Sequence, residues 1–172
     1  PVLAQIGHSL IATAFSNEVI TPNVTTTDDV VWWLRDQTRV LGLTNWFHPT
    51  VSIQRQDNEV FDQISAFSKR PGENIIRPGD LIHVDFGITY LRLNTDQQQH
   101  AYVLKPDEKD APASLKKALK SGNQLQDILT GNFKVGRTGN TILSMSRQQA
   151  IEQGIKPAIY THPLGFHGHA AG

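Results

Sequence analysis

Residues 81–104 read LIHVDFGITYLRLNTDQQQHAYVL and carry the clearest pattern in the chain. Every second residue of the first run is apolar, namely Ile82, Val84 and Phe86. Such alternation is typical of a strand with one buried face. A second extended run, residues 94–104, shows the same alternation in its later half. The two runs predict a β-hairpin whose bend lies near Tyr90 and Leu91.

Two aspartates fall within this predicted hairpin. If the bend is centred between Tyr90 and Leu91, Asp85 lies directly opposite Asp96, with Cβ atoms ~4.5–5.5 Å apart, where like charges are destabilising. Such a pair would share a proton, be solvated or share a cation. Because Asp85 lies between two apolar residues, solvation is disfavoured and a shared divalent metal becomes a serious hypothesis. The alternative is a bend elsewhere, since tight hairpin turns prefer glycine or asparagine.

Length and composition limit the classes of protein to which this chain can belong. Its 172 residues, 38% hydrophobic and 19% charged, suit one soluble globular domain or part of a larger one. Sixteen basic and sixteen acidic residues cancel, so no net field favours nucleic acid or an anionic membrane. No apolar run approaches the ~20 residues of a membrane-spanning helix. Without cysteine, any metal must use oxygen and imidazole ligands, and a cytoplasmic location is expected.

Helical and extended patterns alternate along the rest of the chain. Residues 3–20 carry a helical stripe, and Thr25 or Thr26 caps a second helix with an aspartate three residues on, in capping-box position. A short strand follows Pro49, and two further helices follow the hairpin, the first with Pro112 in its first turn. This order predicts an α+β fold, a curved antiparallel sheet covered by helices.

The chain ends in a segment rich in histidine. Three of its seven histidines fall within eight residues, and glycines stand between them: His162, Gly165, His167, Gly168 and His169. The last two histidines are two residues apart, so on an extended segment they would project to the same side. Neutral imidazole is the commonest metal ligand. This segment is a second candidate for metal binding.

Four segments together resemble the pita-bread metalloprotease family of methionine aminopeptidase, Xaa-Pro aminopeptidase, prolidase and creatinase. ITPNVT at residues 20–25 is similar to the family's I-x-P-G-x-T segment, with asparagine in the glycine's place. RPGDLIHVDFG at residues 77–87 resembles its G-D-x-x-x-x-D-x-G strand, and Asp96, with ten residues between it and Asp85, falls where the second aspartate is expected. GHAAG at residues 168–172 resembles the G-H-x-x-G loop. The resemblance implies a pita-bread fold.

The resemblance also implies a function and a set of site residues. In that family two divalent ions are held by two aspartates, one histidine and two glutamates, and a metal-bound hydroxide attacks the scissile carbonyl. Carried over, Asp85 binds one ion, Asp96 bridges both, His169 binds the other and His162 contacts the substrate. The expected protein is a hydrolase of the Xaa-Pro aminopeptidase or prolidase type that cleaves a peptide near proline and uses manganese, cobalt or zinc.

The sequence departs from the family pattern at three places. Both glutamate ligands would lie beyond residue 172, no histidine occurs from residue 51 to residue 82, and Gln98–Gln99 replace the Thr-Arg that follows the second aspartate. We therefore expect one incomplete pita-bread domain, residues 1–172, from a fragment or processed chain with both ends cut. This chain alone is expected to be inactive.

Two other functions stay open at this point. One is a pita-bread domain that has lost catalysis and acts as a binding module. The other is a mononuclear hydrolase that uses His167 and His169, although this leaves the aspartate spacing unexplained. The expected partners are a peptide substrate and, in an oligomer, a second copy of the chain in a homodimer, with neither nucleic acid nor a membrane.

Overall fold

The computed structural model describes residues 2–55 and 74–160. Within these residues the chain forms four helices and six strands. The helices are α1 (Val2–Ala14), α2 (Thr27–Val40), α3 (Ala113–Gly131) and α4 (Gly139–Glu152). The strands are β1 (Thr44–Asn45), β2 (Thr50–Gln54), β3 (Leu81–Phe86), β4 (Ile88–Tyr90), β5 (Leu93–Asn94) and β6 (Gln97–Tyr102). None of the helices described is both long and apolar enough to cross a membrane.

The first compact unit contains all six strands and the helices α1 and α2, within residues up to Lys109. Its strands form two antiparallel three-stranded sheets, in the orders β1-β4-β5 and β2-β3-β6. The two predicted extended runs are therefore each divided between the sheets, at Gly87 in the first and before Gln97 in the second. The predicted mixture of helices and antiparallel sheet is confirmed.

The core of this unit lies between the helices and one face of the sheets. It consists of ten buried residues: Ile11, Ala14, Ile20, Val30, Leu34, Ile76, Ile82, Val84, Phe86 and Ile88. The predicted capping box begins α2, because the Thr26 hydroxyl accepts from Asp29 N while the Asp29 carboxylate accepts from Thr26 N. The first helix ends at Ala14, earlier than the predicted residue 20.

The second compact unit, from Asp110 onward, contains α3 and α4. A polar junction joins the two helices at Asn132, whose amide nitrogen donates to Ser146 Oγ at 3.2 Å and to Gln149 Oε1 at 2.9 Å. Arg137 Nη1 in turn donates to Asn132 Oδ1 at 2.8 Å. Pro112 is the N-cap residue of α3, one position before the predicted first turn.

The hairpin bend lies one residue further along the chain than predicted. Tyr90 pairs with Leu93, so the turn residues are Leu91 and Arg92, with φ angles of 49° and 66°. Such left-handed values suit a tight hairpin turn but are unusual outside glycine and asparagine. The predicted bend at Tyr90–Leu91 is therefore wrong by one residue, and every cross-strand pair is shifted by two.

Candidate metal centre

Asp85 lies on the polar face of β3, opposite to the core. Ile82, Val84 and Phe86 are fully buried against the core, whereas the alternate residues are only half-buried. Thr50 on β2 and Gln98 on β6 are the direct neighbours of Asp85 in the two ladders. The period-two pattern of the sequence therefore places the first candidate ligand on the polar face of β3, away from the core.

Asp96 lies diagonally across from Asp85. The register pairs Asp85 with Gln98 and Phe86 with Gln97, so its continuation brings Asp96 level with Gly87. The prediction that Asp85 directly opposes Asp96 is therefore wrong. Diagonal neighbours in an antiparallel pair are about 7–8 Å apart. The two aspartates are therefore diagonal rather than directly opposed neighbours on the same face of the hairpin.

Both carboxylates present a buried oxygen, because Oδ1 of Asp85 and Oδ1 of Asp96 are inaccessible to solvent. Oδ2 of Asp85 lies 3.4 Å from the Nε2 donor of Gln98. Carboxylate oxygens are the ligands preferred by hard divalent ions, so these two residues fit the predicted centre. Within residues 2–55 and 74–160 no three histidine, aspartate or glutamate side chains are close enough to hold an ion.

The remaining predicted ligands come from the histidine-rich end. His162, His167 and His169 lie outside the described residues. The roles assigned to His162 and His169 stay predictions, and so does the hydrolase that uses His167 and His169.

Gly87 connects the strand of Asp85 to β4 at a position with no space for a side chain. A Cβ atom there would lie 2.2 Å from Trp46 Nε1, 2.4 Å from Phe47 Cε1 and 2.6 Å from the Thr95 carbonyl oxygen. The indole of Trp46 donates to that same carbonyl at 2.7 Å. The glycine therefore lets the segment just before Asp96 approach β3 closely.

A buried ion pair fixes the start of β3. Asp80 is fully buried, and its two carboxylate oxygens each lie 2.7 Å from a donor of Arg55, Nε to Oδ1 and Nη2 to Oδ2. The backbone N–H of Arg77 also donates to Asp80 Oδ2 at 2.7 Å. Such a bidentate pair is short and directional. The aspartate of the G-D segment therefore has a structural role. Sequence reading missed its partner because Arg55 is 25 residues away.

A second feature missed from the sequence is a pair of histidines on the polar face. His83 and His100 are directly opposed in the β3–β6 ladder, with ring centroids 4.8 Å apart. Burial first, and then the charge of His83, lower the pKa of His100 from its usual 6.5. The pairing depends on the strand register. A bend placed at Leu91 and Arg92 would have predicted from the sequence that His83 and His100 are opposed.

The sequence model of metallopeptidase family M24 matches residues 3–172. The fold is similar to an X-Pro aminopeptidase from Thermotoga maritima, with 19% identity over 88% of this chain and 39% of that chain and a TM-score of 0.66. It is also similar to the prolidase from Pyrococcus furiosus, with 20% identity over 88% of this chain and 41% of that chain and a TM-score of 0.61.

A third similar structure is a methionine aminopeptidase from Thermotoga maritima, with 18% identity, 87% of this chain, 56% of that chain and a TM-score of 0.50. Among curated proteins, none matches the chain. The chain spans about two fifths of the length of the first two structures. At these identities the likeness establishes the fold, and the predicted pita-bread fold is confirmed.

Proposed function

Because this chain belongs to metallopeptidase family M24, we propose that its protein is a metal-dependent peptidase of the Xaa-Pro aminopeptidase or prolidase type. The substrate class is a short peptide with proline next to the scissile bond. The observation that carries the proposal is the placement of two buried carboxylate oxygens, from Asp85 and Asp96, at diagonal positions on the polar face of the hairpin.

Each candidate residue of this chain has a separate role in the proposed site. Asp85 and Asp96 would hold two divalent ions, manganese, cobalt or zinc, together with His169. When bound, such ions supply Lewis-acid activation of water and of the scissile carbonyl. The amide nitrogen of Gln98 lies 3.4 Å from Oδ2 of Asp85. His162 would contact the peptide.

Substitution of the proposed bridging ligand tests this function. Asp96→Asn keeps the side-chain volume and removes the charge, so the fold is expected to persist while the site fails. In the full-length protein, we expect hydrolysis of a Xaa-Pro dipeptide with manganese to fall at least about a hundredfold, because the metals contribute several kcal/mol to the transition state. Manganese should also raise the Tm of the wild-type protein, and the variant should lose most of that rise.

A matched control is Asp36→Asn, the same chemical change at an exposed pair on α2, where Asp36 Oδ1 lies 3.6 Å from Arg39 Nε. The control should keep both the hydrolysis and the manganese-dependent rise in Tm. Hydrolysis that survives Asp96→Asn undiminished would contradict the proposed role of Asp96.

One contact favours the second candidate function, a binding module without catalysis. The amide of Gln98, which stands where the family has threonine, approaches Oδ2 of Asp85, an oxygen that a metal could use. The two candidates differ in a simple measurement. A wild-type protein that is stabilised by manganese but hydrolyses no Xaa-Pro peptide would support the binding module over the peptidase.

A further inference from the structure

His83 and His100 form a cross-strand pair that the proposed peptidase mechanism does not use. They are directly opposed on β3 and β6, and their ring planes are inclined by 47° at a centroid separation of 4.8 Å. Directly opposed residues hold their Cβ atoms about 5 Å apart, so their side chains can reach a common ligand. Imidazole is the commonest metal ligand in proteins.

The hydrogen bonds beside His83 determine which of its ring nitrogens carries the proton. A carboxylate only accepts, so the amide nitrogen of Gln98 must be the group that faces Asp85 Oδ2, at 3.4 Å. The amide oxygen of Gln98 then faces Nε2 of His83, at 3.1 Å. An amide oxygen also only accepts, so Nε2 is protonated and Nδ1 of neutral His83 keeps its lone pair.

The separation of the two rings suits one shared ion. A metal ~2.0–2.1 Å from a ring nitrogen lies about 3.2 Å from the ring centroid, so two imidazoles at roughly 90–110° around it have centroids about 4.5–5.2 Å apart. The observed 4.8 Å falls within this interval. Donation of the outer N–H to a carbonyl oxygen is also the arrangement that orients metal-binding histidines.

We propose that His83 and His100 form a two-imidazole binding site for a divalent transition metal ion, with Nδ1 of His83 as one ligand. Copper(II) should bind more tightly than zinc, following the general order for nitrogen ligands. Within the described parts of the chain no third histidine, aspartate or glutamate completes the group, so water is expected to fill the other positions. The two ligands of this site are distinct from the proposed peptidase ligands Asp85, Asp96 and His169, although Gln98 contacts both His83 and Asp85.

Zinc titration of the purified protein, followed by NMR of the imidazole nitrogens, tests both the tautomer and the site. His83→Gln and His100→Gln identify the two sets of resonances. Before zinc is added, His83 should be protonated at Nε2. Zinc should then shift Nδ1 of His83 together with one nitrogen of His100. Either histidine substitution should weaken zinc binding at this site at least tenfold. Loss of a residue that only orients a metal ligand already lowers affinity by about tenfold or more, and loss of the ligand itself should cost no less.

Three further variants complete the test. Gln98→Met removes the amide that orients His83 and should weaken binding by about tenfold. His48→Gln is the matched control, because His48 is exposed and contacts Arg35 instead. Asp96→Asn should leave zinc binding at the pair intact, which separates this proposal from the peptidase function. A His83 protonated at Nδ1, zinc that shifts neither ring, or equal loss in the His48 control would overturn the proposal.

Discussion

Removal of the buried carboxylate of Asp80 should destabilise the protein strongly, although Asp80 lies five residues before the candidate metal ligand Asp85. The Asp80 side chain is 1% exposed and that of Arg55 is 18% exposed. Asp80→Asn removes the buried negative charge that pairs with the guanidinium of Arg55. Breaking a buried pair in this way costs about 3–5 kcal/mol. For a protein of this size, that corresponds to a fall in Tm of roughly 6–20 °C.

Urea unfolding of single and double variants measures this effect. Arg55→Met and Asp80→Asn should each destabilise the fold, and the double variant should lose less than the sum of the two, because the two side chains contact each other directly. Asp36→Asn removes an exposed pair whose side chains are 67% and 77% accessible, and it should cost at most about 1 kcal/mol. Two results would refute the assignment of Asp80 and Arg55 as a buried ion pair. One is an equal loss of unfolding free energy in Asp80→Asn and Asp36→Asn, and the other is strict additivity of the Arg55→Met and Asp80→Asn effects in the double variant.

Gly87→Ala should lower the Tm by an amount equivalent to about 1–3 kcal/mol, because the new methyl group would overlap Trp46, whereas Gly122→Ala in the open middle of α3 should raise stability by about 0.5–1 kcal/mol. A Gly87→Ala protein as stable as wild type in thermal melts would contradict the close packing. Thr26→Ala should cost about 1 kcal/mol at pH 7 by removing the cap of α2. Hydrogen bonds from the backbone and then the hydroxyl of Thr26 lower the pKa of Asp29 from its usual 3.8, so the contribution of this carboxylate is complete above that pH and is lost as the pH falls through the lower folded value. The Tm difference between wild type and Thr26→Ala should therefore narrow in acid, and a difference that widens would contradict the capping box.

Local patterns in the sequence were sufficient to predict the four helices and the buried face of β3. Apolar residues at every second position of β3 predicted a strand with one buried face, and those residues are buried in the structure. Asparagine in the place of a family glycine also has a structural reason, because Asn23 adopts a φ of 67° and asparagine is the non-glycine residue that most easily takes this conformation.

Pairings between distant residues could not be read from the sequence. The bend was misplaced because Leu91 and Arg92 adopt left-handed angles that their residue types do not suggest. That error of one residue hid both the diagonal position of Asp96 and the opposition of His83 and His100. The pair of Arg55 and Asp80 was missed for a similar reason, since a contact across 25 residues leaves no periodic pattern.

The turn at Leu91 and Arg92 has a consequence for what holds the tip of the hairpin closed. Each residue gives up about 1–2 kcal/mol to adopt the left-handed conformation. The isolated segment would therefore not close at this position by itself. The energy that closes it must come from the β2–β3–β6 ladders and from the packing of Val84 and Phe86. The conformation of the hairpin tip therefore depends on pairing and packing that lie outside the turn itself.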